Sequence, residues 1–184
     1  IETMRRRLAA AALELYRGEG LDAISFRRIA DATGISYTLP YRYFENKDAL
    51  LAHMRVEALG RFEQTIRSHE ARADSGLARI HAVADGYIAF ALEHRADYLL
   101  VFASHQPPVE RYPELLAARR QVFDHAVEVI QDCIDAGLLH GDARDLAHAF
   151  WVTMHGAMML HSVGQLVHGR ELEEIRRPLI DRLL

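Results

Sequence analysis

Apolar residues return at helical spacing over nearly the whole chain. Leu8, Ala11, Ala12 and Leu15 fall at i, i+3, i+4 and i+7, the stripe of a helix with one face on a core. The spacing predicts a first helix over 2–17, stopped by Gly18 and Gly20, since glycine accepts the backbone turn that ends a helix. Ser25 precedes Phe26-Arg27-Arg28-Ile29-Ala30-Asp31-Ala32. Its hydroxyl can accept from one of the free N–H groups of a helix start, so it reads as the N-cap of a two-turn helix ending at Gly34. Ser36 reads the same way for a third helix, Tyr37 to Phe44. Asn46 then caps a long helix over 47–70, with Asp48 in the first turn, where the helix dipole favours a carboxylate.

Five further helices are expected. Leu77, Ile80, Ala84, Tyr87 and Ala91 mark one over 75–94. A short one over 96–104 is apolar nearly all round, from Tyr98 to Ala103, and is expected to be buried. Pro107-Pro108 ends it. Leu116, Phe123, Val127, Ile130 and Ile134 run along 113–136, which Gly137 closes. Asp142 caps 143–164, with Leu146, Phe150, Met154, Ala157 and His161 along it. The last segment, 170–184, contains Pro178, which should kink or break it. No alternation is long enough for a strand. The fold class is all-α: a three-helix N-terminal part over 1–46, a connecting helix over 47–70, and a helical body over 71–184.

Composition narrows the class. Half of the 184 residues are apolar and 26% are charged, which supports a packed core and excludes disorder as the main state. A single cysteine, Cys133, excludes an internal disulfide and a four-cysteine zinc site. The net charge of −4 argues against a nucleic-acid binder when taken whole. Its distribution changes that picture. Residues 1–55 carry nine basic and seven acidic groups, against 13 and 19 in the remainder. A mildly basic front is joined to an acidic body. No apolar run reaches the ~18–20 residues of a membrane span, and no secretory leader pattern opens the chain. No membrane partner is expected, and the reducing cytoplasm is the expected compartment.

The short helix, glycine turn and short helix of residues 25–44 have helix-turn-helix spacing, in which the second helix enters the major groove. That second segment holds Tyr37, Tyr41, Arg42 and Tyr43 within seven residues. Tyrosine hydroxyls and Arg reach phosphates, and Leu39 can meet a thymine methyl. Lys47 can meet a phosphate together with a helix N-terminus. The competing reading is that these tyrosines only pack between helices.

Ser25-Phe26-Arg27-Arg28-Ile29-Ala30, Gly34-Ile35-Ser36 and Tyr41-Arg42-Tyr43-Phe44-Glu45-Asn46-Lys47-Asp48-Ala49-Leu50 resemble the DNA-binding region of the tetracycline-repressor (TetR) family over residues 5–51. The resemblance implies a bacterial regulator, most often a homodimeric repressor on a pseudo-palindromic duplex. It implies phosphate contacts at Ser25, Arg27, Tyr41, Tyr43 and Lys47. It also implies base-facing positions at Tyr37, Thr38, Leu39 and Arg42, with Ser36 among the DNA-binding residues. One departure stands out: position 40, commonly Leu in the family, is Pro here. With Ser36 as N-cap, Pro40 removes the first hydrogen bond of the recognition helix. Arg5, Arg6 and Arg7 could reach the DNA backbone, although a solvated basic face explains them more simply.

In the body, Trp151 followed by His155-Gly156 is similar to a subclass of TetR C-terminal domains. The family's last two long helices pair with those of a second copy, so 143–164 and 170–184 are expected to form a two-fold dimer face. The family usually binds a small effector among the body helices. Tyr87, Phe90, Phe102, Phe123, Ile130, Trp151, Met154 and Met158 are candidate lining, with Tyr87, His125 and His155 as polar anchors. Such stripes also serve as plain core. An apolar or aromatic effector fits this lining.

Eleven histidines raise the question of a metal, but no metal-ligand spacing occurs among them, and no cofactor is expected. There is no phosphate-binding glycine loop and no nucleophile motif, so no enzymatic activity is expected. The alternative to a regulator is a helical small-molecule-binding or interaction protein without sequence-specific DNA binding, and Pro40 is its strongest argument.

Overall fold

A computed structural model describes residues 1–102 and 106–184 of the chain. Eight α-helices and no strand occur among the described residues: α1 Glu2–Glu19, α2 Phe26–Thr33, α3 Lys47–Glu70, α4 Leu77–Glu93, α5 Arg95–Phe102, α6 Pro113–Asp135, α7 Ala143–Ser162 and α8 Leu172–Asp181. Single 3₁₀ turns lie at Leu21–Ala23, Pro40–Arg42 and Val109–Arg111. No described helix is long and apolar enough to cross a membrane. The expected helix end at 104, with Ala103, lies outside the described residues.

The helices gather into two compact units, one of residues 1–60 with 96–118, the other of 61–95 with 119–184. The sequence division at 46 and 70 follows chain order, whereas these units interleave along it. In the first unit, Leu8 and Ala12 of α1, Ile24, Phe26 and Ile29 around α2, Phe44, Leu50 and Met54 of α3, and Leu100 of α5 share one core. Arg55 is fully buried there and donates through Nε to the Leu100 carbonyl at 3.0 Å. Gln106 donates to the Val101 carbonyl at 3.0 Å. These two side chains satisfy carbonyls in the last described turn of α5, where a helix lacks partners of its own.

Capping follows the sequence at three starts. Ser25 Oγ accepts from the Arg28 N–H at 3.3 Å, Asn46 Oδ1 from Ala49 at 2.9 Å, and Asp142 Oδ1 from Arg144 and Asp145 at 2.9 and 3.0 Å. Gly34 ends α2 in the left-handed region, φ 66°. Gly18 does not stop its helix, and Pro178 does not break its own. Helix α1 runs through Gly18 and stops only at Gly20, φ 85°. A glycine at ordinary helical angles costs about 0.5–1 kcal/mol and does not end a helix. Helix α8 also continues through Pro178. Glu171 and Glu174 close a capping box at its start, Leu172 and Ile180 are buried, and Arg176 and Asp181 pair with Asp85 and His81 of α4 at 2.9 and 3.1 Å. These contacts lie on both sides of the proline and hold the helix across it.

The third expected helix is the main correction. Residues 37–44 form no α-helix. A turn leads into the 3₁₀ turn Pro40–Arg42. Pro40 has no N–H to offer the Ser36 carbonyl, which instead takes the Leu39 N–H at 3.0 Å. The following bonds keep this shorter spacing, with Arg42 bonded to Leu39 and Tyr43 to Pro40, each at 3.0 Å. Ser36 does not cap: its Oγ lies 3.3 Å from Thr38 Oγ1.

In the second unit, α4 packs on α7 and α8, and α7 buries Ala143, Ala147, Phe150, Met154, Ala157 and Met158. Gly86 of α4 meets α3 backbone to backbone: a Cβ added there would lie 2.7 Å from Ile66 Cα. Gly86→Ala should therefore destabilise the chain by about 1–3 kcal/mol, despite the ~1 kcal/mol that alanine gains in a helix. Urea unfolding measures this. A midpoint at or above that of the parent chain would refute the close helix approach.

Candidate nucleic-acid interface and the helical body

Helix α2 is fixed by its neighbours before it can present anything. Arg28 forms a two-point ion pair with Glu19 of α1, one arm of it 2.9 Å from Glu19 Oε2. That pair holds the Glu19 carboxyl below its usual range, mainly through the hydrogen bond from Arg28. Arg7 donates to the Thr33 carbonyl at 2.5 Å, closing the far end of α2. The other N-terminal arginines also have partners in the chain: Arg5 lies over the Phe44 ring at 5.0 Å, and Arg6, itself largely exposed, pairs with Glu2 at 3.3 Å.

With α2 and the 3₁₀ turn anchored, one set of side chains faces outward. Ser25, Arg27, Ser36, Tyr37, Thr38, Tyr41 and Arg42 are exposed. Tyr37 is 54% and Tyr41 63% exposed, high values for large aromatic rings. Tyr41 keeps one edge on buried Phe26, ring centroids 4.7 Å apart at 89°. Tyr43 differs: it is half-buried against the core, as the packing reading expected. Leu39 is also half-buried. Lys47 Nζ donates to the Leu21 carbonyl at 2.8 Å, which ties the start of α3 to the 3₁₀ turn at 21–23. Its ammonium retains donors for a phosphate, because lysine carries three.

Asp31 is the residue that sequence reasoning missed. It lies on the exposed side of α2, and its Oδ1 accepts the Tyr37 hydroxyl at 2.8 Å. Arg27 lies over the same ring, 5.8 Å from its centroid. The bond to Asp31 raises the Tyr37 pKa, an effect that outweighs the opposing pull of Arg27. The signal was available in principle: a carboxylate one residue before the end of the polar face of α2, six positions from an exposed tyrosine across a glycine turn.

In the second unit, several candidate lining residues come together. Tyr87, Phe90, Ile130, Met154 and Met158 are buried. Phe62 packs between Tyr87 and Phe90, centroids 5.3 and 4.9 Å away. The Tyr87 hydroxyl lies 3.3 Å from His155 Nδ1. Burial pushes the His155 pKa down, favouring the neutral ring. Trp151 is 40% exposed, stacked on His155 at 6.0 Å and edge-on to Phe123 at 6.5 Å. Phe102 belongs to the other unit, where it packs on Tyr98 at 5.0 Å. His125 is buried with its Nε2 on Glu70 Oε2 at 2.6 Å. Arg79 joins that carboxylate at 2.7 Å and Asp132 at 2.6 Å. Burial would raise the Glu70 pKa, but the bonds from Arg79 and His125 prevail and hold it low. His125 therefore sits within an ionic network joining α3, α4 and α6.

The outer surface of α7 carries a second feature. Trp151, Val152, Leu160 and Val163 are 40–62% exposed along α7 and its C-terminal end. Between them, a Cβ added at Gly156 would meet nothing within 4 Å.

Comparison with known proteins covers both the N-terminal and the C-terminal part of the chain. An HTH-type transcriptional regulator of Mycobacterium tuberculosis is 29% identical over 146 residues, 76% of this chain. The chain spans 61% of the length of that regulator and of the other curated relatives it matches. A protein of unknown function from Rhodococcus sp. RHA1 superposes with a TM-score of 0.86 at 28% identity, over 97% of this chain and 92% of that one. The transcriptional regulator FadR from Bacillus subtilis, solved in complex with stearoyl-CoA, gives 0.79 at 14% identity over 97% and 96%, a likeness of fold. Residues 8–54 match the model described as bacterial regulatory proteins, tetR family, and residues 80–183 the tetracyclin repressor-like C-terminal domain. With a helix-turn-helix region and a C-terminal domain both matched, the chain belongs to the tetR family of bacterial regulatory proteins.

Proposed function

We propose that this chain is a ligand-responsive, DNA-binding transcriptional regulator, acting in the cytoplasm by binding rather than by catalysis. The observation that carries the reading is the outward set of Arg27, Tyr37, Tyr41 and Arg42, fixed on an anchored α2 and turn inside the family's DNA-binding segment. Tyr41 and Lys47 are assigned to phosphates, Tyr37 and Thr38 to base edges. A homodimer is proposed through 143–164 and 170–184. The exposed Val152, Leu160 and Val163, on one side of α7 with Gly156, support it, because exposed apolar side chains on one helix face favour a partner surface; Trp151 is exposed on an adjoining face. Two copies would place their reading elements about 34–36 Å apart, one DNA turn, on a pseudo-palindrome.

The effector is proposed to be a small apolar or aromatic molecule taken up among Tyr87, Phe90, Met154 and Met158, with the Tyr87–His155 pair as its polar anchor. A ligand that binds the DNA-incompetent state more tightly shifts the population off the operator. A tenfold loss of operator affinity needs about 1.4 kcal/mol of differential binding. Helix α3 transmits that shift, since residues 47–60 belong to one unit and 61–70 to the other. Long-chain acyl-CoA is a sensible first compound to try, because FadR of Bacillus subtilis was solved with stearoyl-CoA. The release of DNA makes repression the expected sign of control. The rival reading, a helical ligand-binding or interaction protein without sequence-specific DNA binding, is favoured by one observation, the missing α-helix at 37–44.

In-vitro selection of duplex DNA tests the proposal, and a palindrome with half-sites one turn apart is the expected product. On that duplex, Tyr41→Ala should weaken binding to all sequences and leave the salt slope nearly unchanged, because its hydroxyl carries no charge. Lys47→Ala should also weaken binding to all sequences, reduce the salt slope by about 1, and lower the melting temperature, because it removes the bond to Leu21. An unchanged salt slope in Lys47→Ala, or sequence-selective losses in Tyr41→Ala, would remove the phosphate assignment. Gly156→Ala separates the dimer from a free surface. On a lone chain, alanine should stabilise α7 by about 0.5–1 kcal/mol. Within a close helix pair, the added methyl should loosen the dimer, read by sedimentation. A more stable variant with unchanged association would count against α7 as the dimer face.

A further inference from the structure

Tyr37 combines two properties that rarely go together. Its ring is more than half exposed, yet its hydroxyl proton is spent inside the protein on Asp31. An exposed phenol ordinarily turns freely and both donates and accepts. A carboxylate partner ends that freedom, since O–H···O⁻ bonds are among the stronger hydrogen bonds. The raised pKa of Tyr37 agrees that the proton stays in place. Arg27 also reaches that oxygen as a side-chain hydrogen-bond donor, so what it can still offer outward is its remaining acceptor capacity and no proton.

Two neighbours sharpen the geometry. Arg27 over the ring keeps it from swinging away from α2. Pro40 sets the short turn that carries Tyr37, so the ring hangs from a turn and reaches back over α2 to Asp31. The carboxylate also sorts the target. A negative charge beside Tyr37 disfavours a phosphate there and suits a base edge. In the major groove, the donors are the amino groups, adenine N6 and cytosine N4, whereas guanine N7 and O6 and thymine O4 only accept.

Building on the DNA-binding reading above, we infer that Tyr37 reads its operator as a hydrogen-bond acceptor, selecting a base whose exocyclic amino group meets the hydroxyl oxygen. Asp31 is the positioning residue that imposes this polarity. Asp31→Asn then has a signature that a structural role lacks. An asparagine amide can donate to the tyrosine oxygen, which frees the hydroxyl to donate, and the preferred base at that position changes from an amino-bearing one to guanine or thymine.

The test uses the full chain and the duplex that it selects. At each half-site position, one amino group is deleted in turn, adenine to purine or cytosine to 2-pyrimidinone, with 7-deazapurines as the control for acceptor loss. The parent protein should lose about five- to tenfold in affinity at one position for amino deletion and nothing there for the deaza control. Tyr37→Phe should be indifferent at that same position, and repeat selection with Asp31→Asn should move the preference. Both substituted side chains are exposed, so unchanged melting temperatures are expected. If the parent selects a duplex but tolerates every amino deletion, or if Tyr37→Phe keeps the parent's sensitivity, the acceptor assignment is overturned while DNA binding stands. If the parent enriches no duplex at all, even at low salt, the DNA-binding reading itself fails and takes this one with it.

Discussion

A single missing N–H governs the outward face of the first unit. A helix start needs each new amide to find the carbonyl four residues back, and at residue 40 proline has no amide proton to give. The Ser36 carbonyl settles for the Leu39 N–H, and the spacing of three persists through Tyr43. What would have been two turns of α-helix becomes a tighter, shorter element, with Pro40 buried beneath it. The exposed Tyr37, Thr38, Tyr41 and Arg42 hang from this element, so their directions follow from the turn more than from any helical periodicity.

Such a short element cannot hold itself in place. Three bonds (about 26 residues apart or fewer in sequence) secure its surroundings: Arg7 to the end of α2, Arg28 to Glu19, and Lys47 to Leu21. Each carries a cation that composition alone would have assigned to nucleic acid. Part of the positive charge at the front of the chain is thereby spent inside the unit. What remains outward is mainly aromatic, with Arg27 and Arg42 beside it. A face of that kind depends more on shape and on directed hydrogen bonds than on a broad electrostatic field.

Much of the fold was legible because its determinants are local. Ser25, Asn46 and Asp142 announce helix starts through side chains that sit beside a periodic run, and the structure shows all three accepting the bonds expected of caps. Gly18 and Pro178 misled for an equally local reason. Residue type states a cost, while the neighbours decide whether it is met, and Asp85, His81 and the capping box of α8 meet it. The candidate site was half legible. Exposed Tyr37 and Tyr41 followed from the motif, but half-buried Tyr43 and the role of Asp31 depend on where the chain folds back. The body was the least legible: the partners Glu70 and His125 are 55 positions apart and Arg79 and Asp132 are 53, and no spacing rule connects such pairs.

Lys47 is the one lysine of the chain, every other basic side chain among the Lys and Arg being arginine. Its ammonium lies at the seam between the 3₁₀ turn at 21–23 and the first turn of α3. Amine chemistry therefore has a single side-chain address in this molecule. Reductive methylation with a ¹³C label would place one pair of reporter methyls beside the 3₁₀ turn at 21–23 and none on any other side chain, a spectroscopic beacon installed without changing a codon. The same scarcity makes coupling to an amine-reactive surface or dye a poor choice for binding work, because the side chain it captures is the one that ties that element down.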